Sequence, residues 1–332
     1  AFRVLPSILF FSALSALLYH WGILQRVVYV LAWLMKRTMR ISGPECLAMS
    51  ANVFVGQTEA PLLVRPYLDK MTKSEILCLM TGGFATIAGG VFAAYVAFLG
   101  GTDPADQALF AKHLLTASLM SAPAAIVCAK IILPETDIRN ESFNLVKDES
   151  SENIFDALTA GTSQGLLLAF NVGAILIVFT GIVALANFVL NDLLVKPLGI
   201  DSLFGLNEAQ FSLENLLGLI FSPIAWLIGV DSSDIRLVGQ LLGEKLVLNE
   251  FVAYSHLGEF KEQSRLHSEK SIVLASYALC GFANFASVGI QVAGIAILAP
   301  SQRKNLTTLG WRALLAGTIA CLLSAGVVNL VI

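Results

Sequence analysis

Charge is the scarcest property of this sequence. Only 14% of its 332 residues are Asp, Glu, Lys or Arg, and 56% are hydrophobic, whereas a soluble domain carries about 25% charged residues. So little polar surface cannot coat a water-soluble globule of this size, which excludes most cytosolic enzymes. Basic residues are not in excess either. The net charge is −3, so no positive field is available for a phosphate backbone, and nucleic acid is excluded as a partner. Cysteine is sparse: Cys46, Cys78, Cys128, Cys280 and Cys321 stand singly in apolar stretches. An odd number without a CxxC pair suggests neither a disulfide framework nor a zinc site. The four histidines form no HExxH, and no GxSxG occurs. A membrane-embedded hydrolase or lipid transferase, the alternative from another functional class, therefore lacks its usual marks. An initiating Met is absent as well, and the chain opens inside an apolar run, Phe2 to Tyr19. No small-residue cleavage site follows that run, so it is not read as a signal peptide, and we expect the natural N-terminus to lie upstream.

The remaining reading is an all-α integral membrane protein. A spanning helix needs roughly 20 apolar residues to cross about 30 Å of hydrocarbon. Runs of that size lie at about 2–19, 75–101, 105–133, 157–191, 270–302 and 305–332. Residues 20–40 alternate Arg26, Arg37 and Arg40 with leucines and valines at helical spacing, which predicts a helix lying in the membrane interface; 213–230, with Pro223 and Trp226, predicts a second interfacial or re-entrant helix. Residues 44–68 and 234–262 are apolar at both ends and polar in the middle. Each reads as a re-entrant hairpin of two half-helices with its tip at mid-membrane, tolerated only where protein or a wet cavity satisfies the backbone.

The two halves match at nearly constant spacing. Ala32-Trp33-Leu34 answers Ala225-Trp226-Leu227, NVFV from Asn52 answers NEFV from Asn249, GFATIA from Gly83 answers GFANFA from Gly281, and the span 105–133 answers 304–332; the offsets are 193, 197, 198 and about 199. The unit is span, interfacial helix, hairpin, span, span. It crosses three times, so the second copy enters from the opposite side and the repeats are inverted, as in secondary transporters. The division is 1–133 for the first repeat, 134–156 for a polar connecting loop and 157–332 for the second. An excess of Lys and Arg on the side of the first hairpin places that side in the cytoplasm.

Glu59 and Glu250 sit in otherwise uncharged neighbourhoods of the two hairpins. A carboxylate at mid-bilayer costs at least ~2.5 kcal/mol and needs a cavity, partner or ligand. Gln57, Thr58, Asn284 and Ser287 add amides and hydroxyls, and Val91 and Phe282 supply an apolar wall. With no basic residue among them, a neutral, hydroxyl-rich solute with a flat part fits best. The paired glycines on either side of Thr86-Ile87 predict an unwound or kinked segment or else close helix packing. Asn284, Ser287 and Gln291 are placed on one face of a continuous helix. Thr86 beside Asn52 would form an oxygen cage for a small hard cation.

At these residues the sequence resembles the bacterial branch of the concentrative nucleoside transporter family, whose members begin with further N-terminal spans. The carrying motifs are GQTEAPLLVRPYL (56–68), MTKSE (71–75) followed by GGFATIAGG (82–90), GEKLVLNEFVAY (243–254) and CGFANFASVGIQ (280–291). The resemblance implies uptake of nucleosides such as uridine, driven by sodium or alternatively protons. It implies a homotrimer in the lipid of a bacterial inner membrane, working by elevator-type movement. It implies nucleobase contacts from Gln57, Thr58 and Glu59 with Val91 lining the pocket, and ribose contacts from Glu250, Asn284 and Ser287 beside Phe282. It also implies a sodium site made of Asn52 and Thr86 side chains with the Val55 and Ile87 carbonyls.

Overall fold

The structure, a computed structural model, describes residues 4–137, 153–195 and 212–332. All regular structure among the described residues is helical. Most of the polar loop expected over 134–156 lies outside them. In chain order the helices are α1 Val4–His20, α2 Ile23–Met39, α3 Gly43–Asn52, α4 Ala60–Leu63, α5 Arg65–Leu68, α6 Lys73–Ala85, α7 Gly89–Gly100, α8 Pro104–Ile132 and α9 Ile154–Phe188. They continue with α10 Leu213–Leu227, α11 Ile235–Val247, α12 Glu250–Glu262, α13 Glu269–Ala278, α14 Phe285–Leu298 and α15 Arg303–Asn329. The stretches Lys73–Gly100, Pro104–Ile132 and Pro300–Asn329 are each long and apolar enough to cross a membrane. The α1–α2 pair meets the same test but is bent by 74°. The bend falls at Gly22, whose φ of 71° is left-handed, a conformation glycine adopts without penalty. Beyond it, α2 turns Val28 and Ala32 inward and leaves Val30, Trp33 and Leu34 exposed.

The order of elements recurs in the two halves: a first helix, a helix set off from it, a hairpin, an interrupted helix, and a long helix. The first hairpin departs from expectation in its return arm. In place of one half-helix it has the two short pieces α4 and α5, because Pro66 removes a donor that a continuous ladder requires. The span expected over 270–302 is likewise not continuous: it breaks between α13 and α14. Asn284 therefore caps α14 from outside and is not part of a helical face. The segment 86–88 interrupts 75–101 in the same way, between α6 and α7, so the glycine pairs flank an unwound stretch.

Capping chemistry fixes where the hairpin and the first interrupted helix begin. Ser42 Oγ accepts from Glu45 N–H at 3.3 Å while the Glu45 carboxylate accepts from Ser42 N–H at 3.0 Å. Thr72 and Glu75 repeat the exchange at 3.1 and 2.8 Å. Two orphan donors are thus satisfied at each helix start. Lys130 of α8 joins the two boxes, pairing with Glu45 and donating to Ser74 Oγ at 2.9 Å.

The second hairpin is closed at its base by Asp234. This buried carboxylate accepts from the backbone N–H of His267 at 3.0 Å and of Ser268 at 3.1 Å, with the His267 ring 3.2 Å away. Burial raises the carboxyl's pKa, but these hydrogen bonds outweigh it and hold the group below its ordinary value. A depressed pKa stabilises the fold above the unfolded value of about 3.9 and loses that contribution as pH falls through the folded value. We therefore expect Asp234→Asn to lower stability by about 2 kcal/mol at neutral pH, the scale of a hydrogen bond to a charged group. The variant should also lose part of the wild type's decline in melting temperature between pH 5 and pH 3. Parallel melting curves for the two proteins across that range would contradict this account.

Candidate functional site

The site is assembled where the two interrupted helices cross. Cys280 and Cys321 point their sulfurs at Ala85 O, at 3.9 and 3.6 Å. Gly281 has φ 95°, and a Cβ there would lie 2.6 Å from Ala85 C. The last residues of α6 and the break after α13 are thus in backbone contact.

Each hairpin tip is tied to one break. In the first half, Gly89 N–H donates to Phe54 O at 2.9 Å, so the hairpin loop caps the start of α7. Ser118 of α8 adds a bridge, donating to Val53 O at 3.0 Å while accepting from Ile87 N–H at 3.4 Å. Thr86, buried and extended, donates its hydroxyl to Gly82 O at 2.8 Å. Asn52 lies one turn earlier, against Gly82, where an added Cβ would meet Asn52 Nδ2 at 3.0 Å. Asn52 is only 1% exposed, yet neither its Oδ1 nor its Nδ2 has a hydrogen-bond partner. A buried unsatisfied amide costs about 1–3 kcal/mol per group. The Thr86 hydroxyl keeps its oxygen lone pairs free to accept, so these oxygens suit a small hard cation.

In the second half, Asn249 Oδ1 accepts from Val252 N–H at 3.0 Å and Asn284 Oδ1 from Ser287 N–H at 2.8 Å, capping α12 and α14. The free amide end of Asn284 donates to Glu250 Oε2 at 2.9 Å. Glu250 is 3% exposed. Its other oxygen, Oε1, accepts from Tyr95 OH of α7 at 3.2 Å. A carboxylate offers about four lone-pair positions, so acceptor capacity remains for a solute. The halves are also joined by Gln57, whose Nε2 donates to Ser287 Oγ at 3.4 Å while its Oε1 stays buried without a partner.

The structure thus brings Gln57, Asn284, Ser287 and Glu250 into one network, and sets Asn52 and Thr86 both against Gly82 with no bond between them. The two carboxylates differ. Thr58 and Glu59 are exposed, and Glu59 Oε2 accepts from its own hairpin at Gly56 N–H, 3.2 Å away. The expectation of two equally sequestered acids therefore holds for Glu250 alone. Val91 is buried in the core with Ile87 and Tyr95; Phe282 is half-buried against the same cluster. Tyr95 is the participant that motif reading missed. It stacks on Tyr254 at 4.3 Å and meets Phe251 edge-on at 5.0 Å. Its signal was present: a phenol inside the charge-free stretch GGVFAAYVAFLG has to find a partner when buried. Lys245 is the other omission, a cation 3% exposed on the arm of the second hairpin.

Paired hairpins meeting paired broken helices around buried polar groups define a membrane transporter. Residues 113–329 match the family described as "Na+ dependent nucleoside transporter C-terminus", and residues 1–102 match "Nucleoside recognition". The chain belongs to the concentrative nucleoside transporter family, whose members are multi-pass membrane transporters and not enzymes. Among its relatives is the uncharacterized transporter YutK of Bacillus subtilis, 42% identical over all of this chain and 78% of that protein. Another is solute carrier family 28 member 3 of Rattus norvegicus, 39% identical over 98% of this chain and 46% of that one. The solved structure of CNTnw in an inward-facing substrate-bound state superposes with a TM-score of 0.85 at 38% identity, covering 99% of this chain and 74% of that chain. An outward-facing variant of the same protein gives 0.87 at 37% identity, with the same coverage.

Proposed function

We propose that this protein is a secondary active symporter that carries nucleosides such as uridine across the bacterial inner membrane, driven by a sodium gradient. The observation that carries the reading is Glu250, a buried carboxylate at a half-helix start, held by Tyr95 and Asn284 and with acceptor capacity to spare. A ribose hydroxyl supplies a matching donor. Asn284 and Ser287 add polar contacts to the sugar, and Phe282 walls it. Gln57, with an unpaired buried oxygen, takes the nucleobase together with Thr58 and Glu59 on the open rim and Val91 behind. The family description names Na+ dependence, and sodium and cotransport with nucleosides stand in the name of a 37% identical relative from Rattus norvegicus. For this chain the coupling reading rests on Asn52 and Thr86, assisted by the Val55 and Ile87 carbonyls. The recurrence of elements supports two inverted repeats, 1–133 and 157–332, with elevator-type movement of the hairpin-bearing part in a homotrimer.

The test is uridine uptake into proteoliposomes with an inward sodium gradient. Accumulation should stop when sodium is replaced by choline; uptake indifferent to that replacement would transfer the coupling to protons. Asn52→Leu sharpens the assignment. It deletes an amide that has no partner, so thermal stability without sodium should hold or rise. Removing one cation ligand should raise the sodium needed for half-maximal uptake at least tenfold, about 1.4 kcal/mol. An unchanged sodium requirement would remove Asn52 from the site.

A further inference from the structure

The two breaks end in the same electrostatic problem and answer it differently. A helix C-terminus presents unpaired carbonyls and about half a negative charge. Where α13 stops, Lys245 Nζ donates to Ala278 O and to Cys280 O, both at 3.0 Å. Where α6 stops, no Lys or Arg among the described residues donates to the end carbonyls. The offset of 197 that pairs Asn52 with Asn249 places Ala48 opposite Lys245, and the carbonyls there are met by neutral donors, Gln291 Nε2 on Met80 O at 3.2 Å and Thr86 Oγ1 on Gly82 O at 2.8 Å. That neutral end is also where Asn52 lies unsatisfied.

We infer that Lys245 is a tethered cation that holds the second break open, filling in the second half the electrostatic place that a sodium ion fills in the first. The inference rests on the sodium reading given above. Lys245 and Glu250 belong to one hairpin and flank one break. The ammonium faces the negative end of α13. The carboxylate, through Asn284, faces the positive end of α14. Each charge is matched to a half-helix dipole, which is how a buried charge survives a water-poor interior. Lys245 touches no solute in this scheme. It is a positioning residue: with the C-terminus of α13 pinned, the cap Asn284 is set, and Asn284 in turn aims Glu250. A built-in cation also leaves the second break independent of the salt outside, so a single mobile ion suffices to complete both halves.

The experiment separates charge from hydrogen bonding. Lys245→Gln keeps two donors for the two carbonyls and removes the charge; Lys245→Met removes both; Lys245→Arg keeps both. Two readouts are taken on the purified full chain: hydrogen–deuterium exchange of peptides covering 276–286 and 84–90, and equilibrium uridine binding in saturating sodium. For a tethered cation, Gln and Met both speed exchange at 276–286 and weaken uridine at least tenfold, exchange at 84–90 stays as in the wild type, and Arg recovers at least part of the binding. If Gln matches the wild type in both readouts, neutral capping is sufficient and the inference is overturned. If both peptides loosen together in Gln, the effect is general destabilisation and the inference is equally overturned. A wild type that fails to bind uridine overturns the nucleoside reading separately, while the exchange pattern still decides the role of Lys245.

Discussion

Glu250→Gln should reduce concentrative uridine uptake by about 10- to 150-fold, the equivalent of one hydrogen bond to a charged group at about 1.5–3 kcal/mol. The substitution changes no volume and leaves a group that still suits its neighbours. The amide oxygen can accept from Asn284 Nδ2, and the Tyr95 hydroxyl, both donor and acceptor, can rotate to accept from the new amide N–H. The network that holds the tip is thereby preserved and the melting temperature should stay near that of the wild type. What the substitution removes is acceptor capacity toward the solute. A site built to pair solute hydroxyls leaves its own groups unpaired when the match fails, which is why such sites discriminate strongly. A 2′,3′-dideoxynucleoside should therefore compete poorly with uridine on the wild type and show little further loss on the variant. Wild-type uptake by the folded variant would remove Glu250 from the site.

Gly281→Ala should be at least as damaging, through the fold. At φ 95° an L-residue is strained, by about 1–2 kcal/mol on the left-handed scale. Its new methyl would also lie 2.6 Å from Ala85 C and 2.8 Å from Ala85 O. Those are backbone atoms of the other interrupted helix and cannot swing aside. Overpacking of this kind adds about 1–3 kcal/mol. The sum, about 2–5 kcal/mol, should lower the melting temperature and abolish binding, because the crossing is forced apart. Gly101 supplies the control. It is also left-handed, at φ 56°, but nothing lies within 4 Å of an added Cβ, so Gly101→Ala should cost only the conformational part. Equal effects of the two substitutions would mean that the backbone contact at the crossing is unimportant.

Much of this arrangement is legible in the sequence because a membrane exaggerates every polar exception. Glu250 in a charge-free neighbourhood, the glycine pairs around Thr86, and the matched NVFV and NEFV tips each stand out against apolar flanks. The second break was less visible. CGFANFASVGIQ contains polar residues at helical spacing, and that spacing fits a continuous helix as well as a helix starting at an Asn cap. Only the left-handed Gly281 and the hydrogen bond that Ser287 N–H donates to Asn284 Oδ1 decide it. The unlike settings of Glu59 and Glu250 could not be read at all, since burial depends on which elements close over each tip. Tyr95 and Lys245 lie 155 and 33 residues from the groups they serve. Motif reading, which works within one window, does not reach such partners.

All five cysteines are buried thiols outside any disulfide, and two of them, Cys280 and Cys321, lie at the crossing itself. A thiolate is the reactive form, and burial in apolar surroundings suppresses it. An alkylating reagent added to the intact protein must therefore wait for the interior to breathe. The chain carries its own stopwatch for that breathing, and a reporter cysteine placed on an outer surface reacts against a silent background.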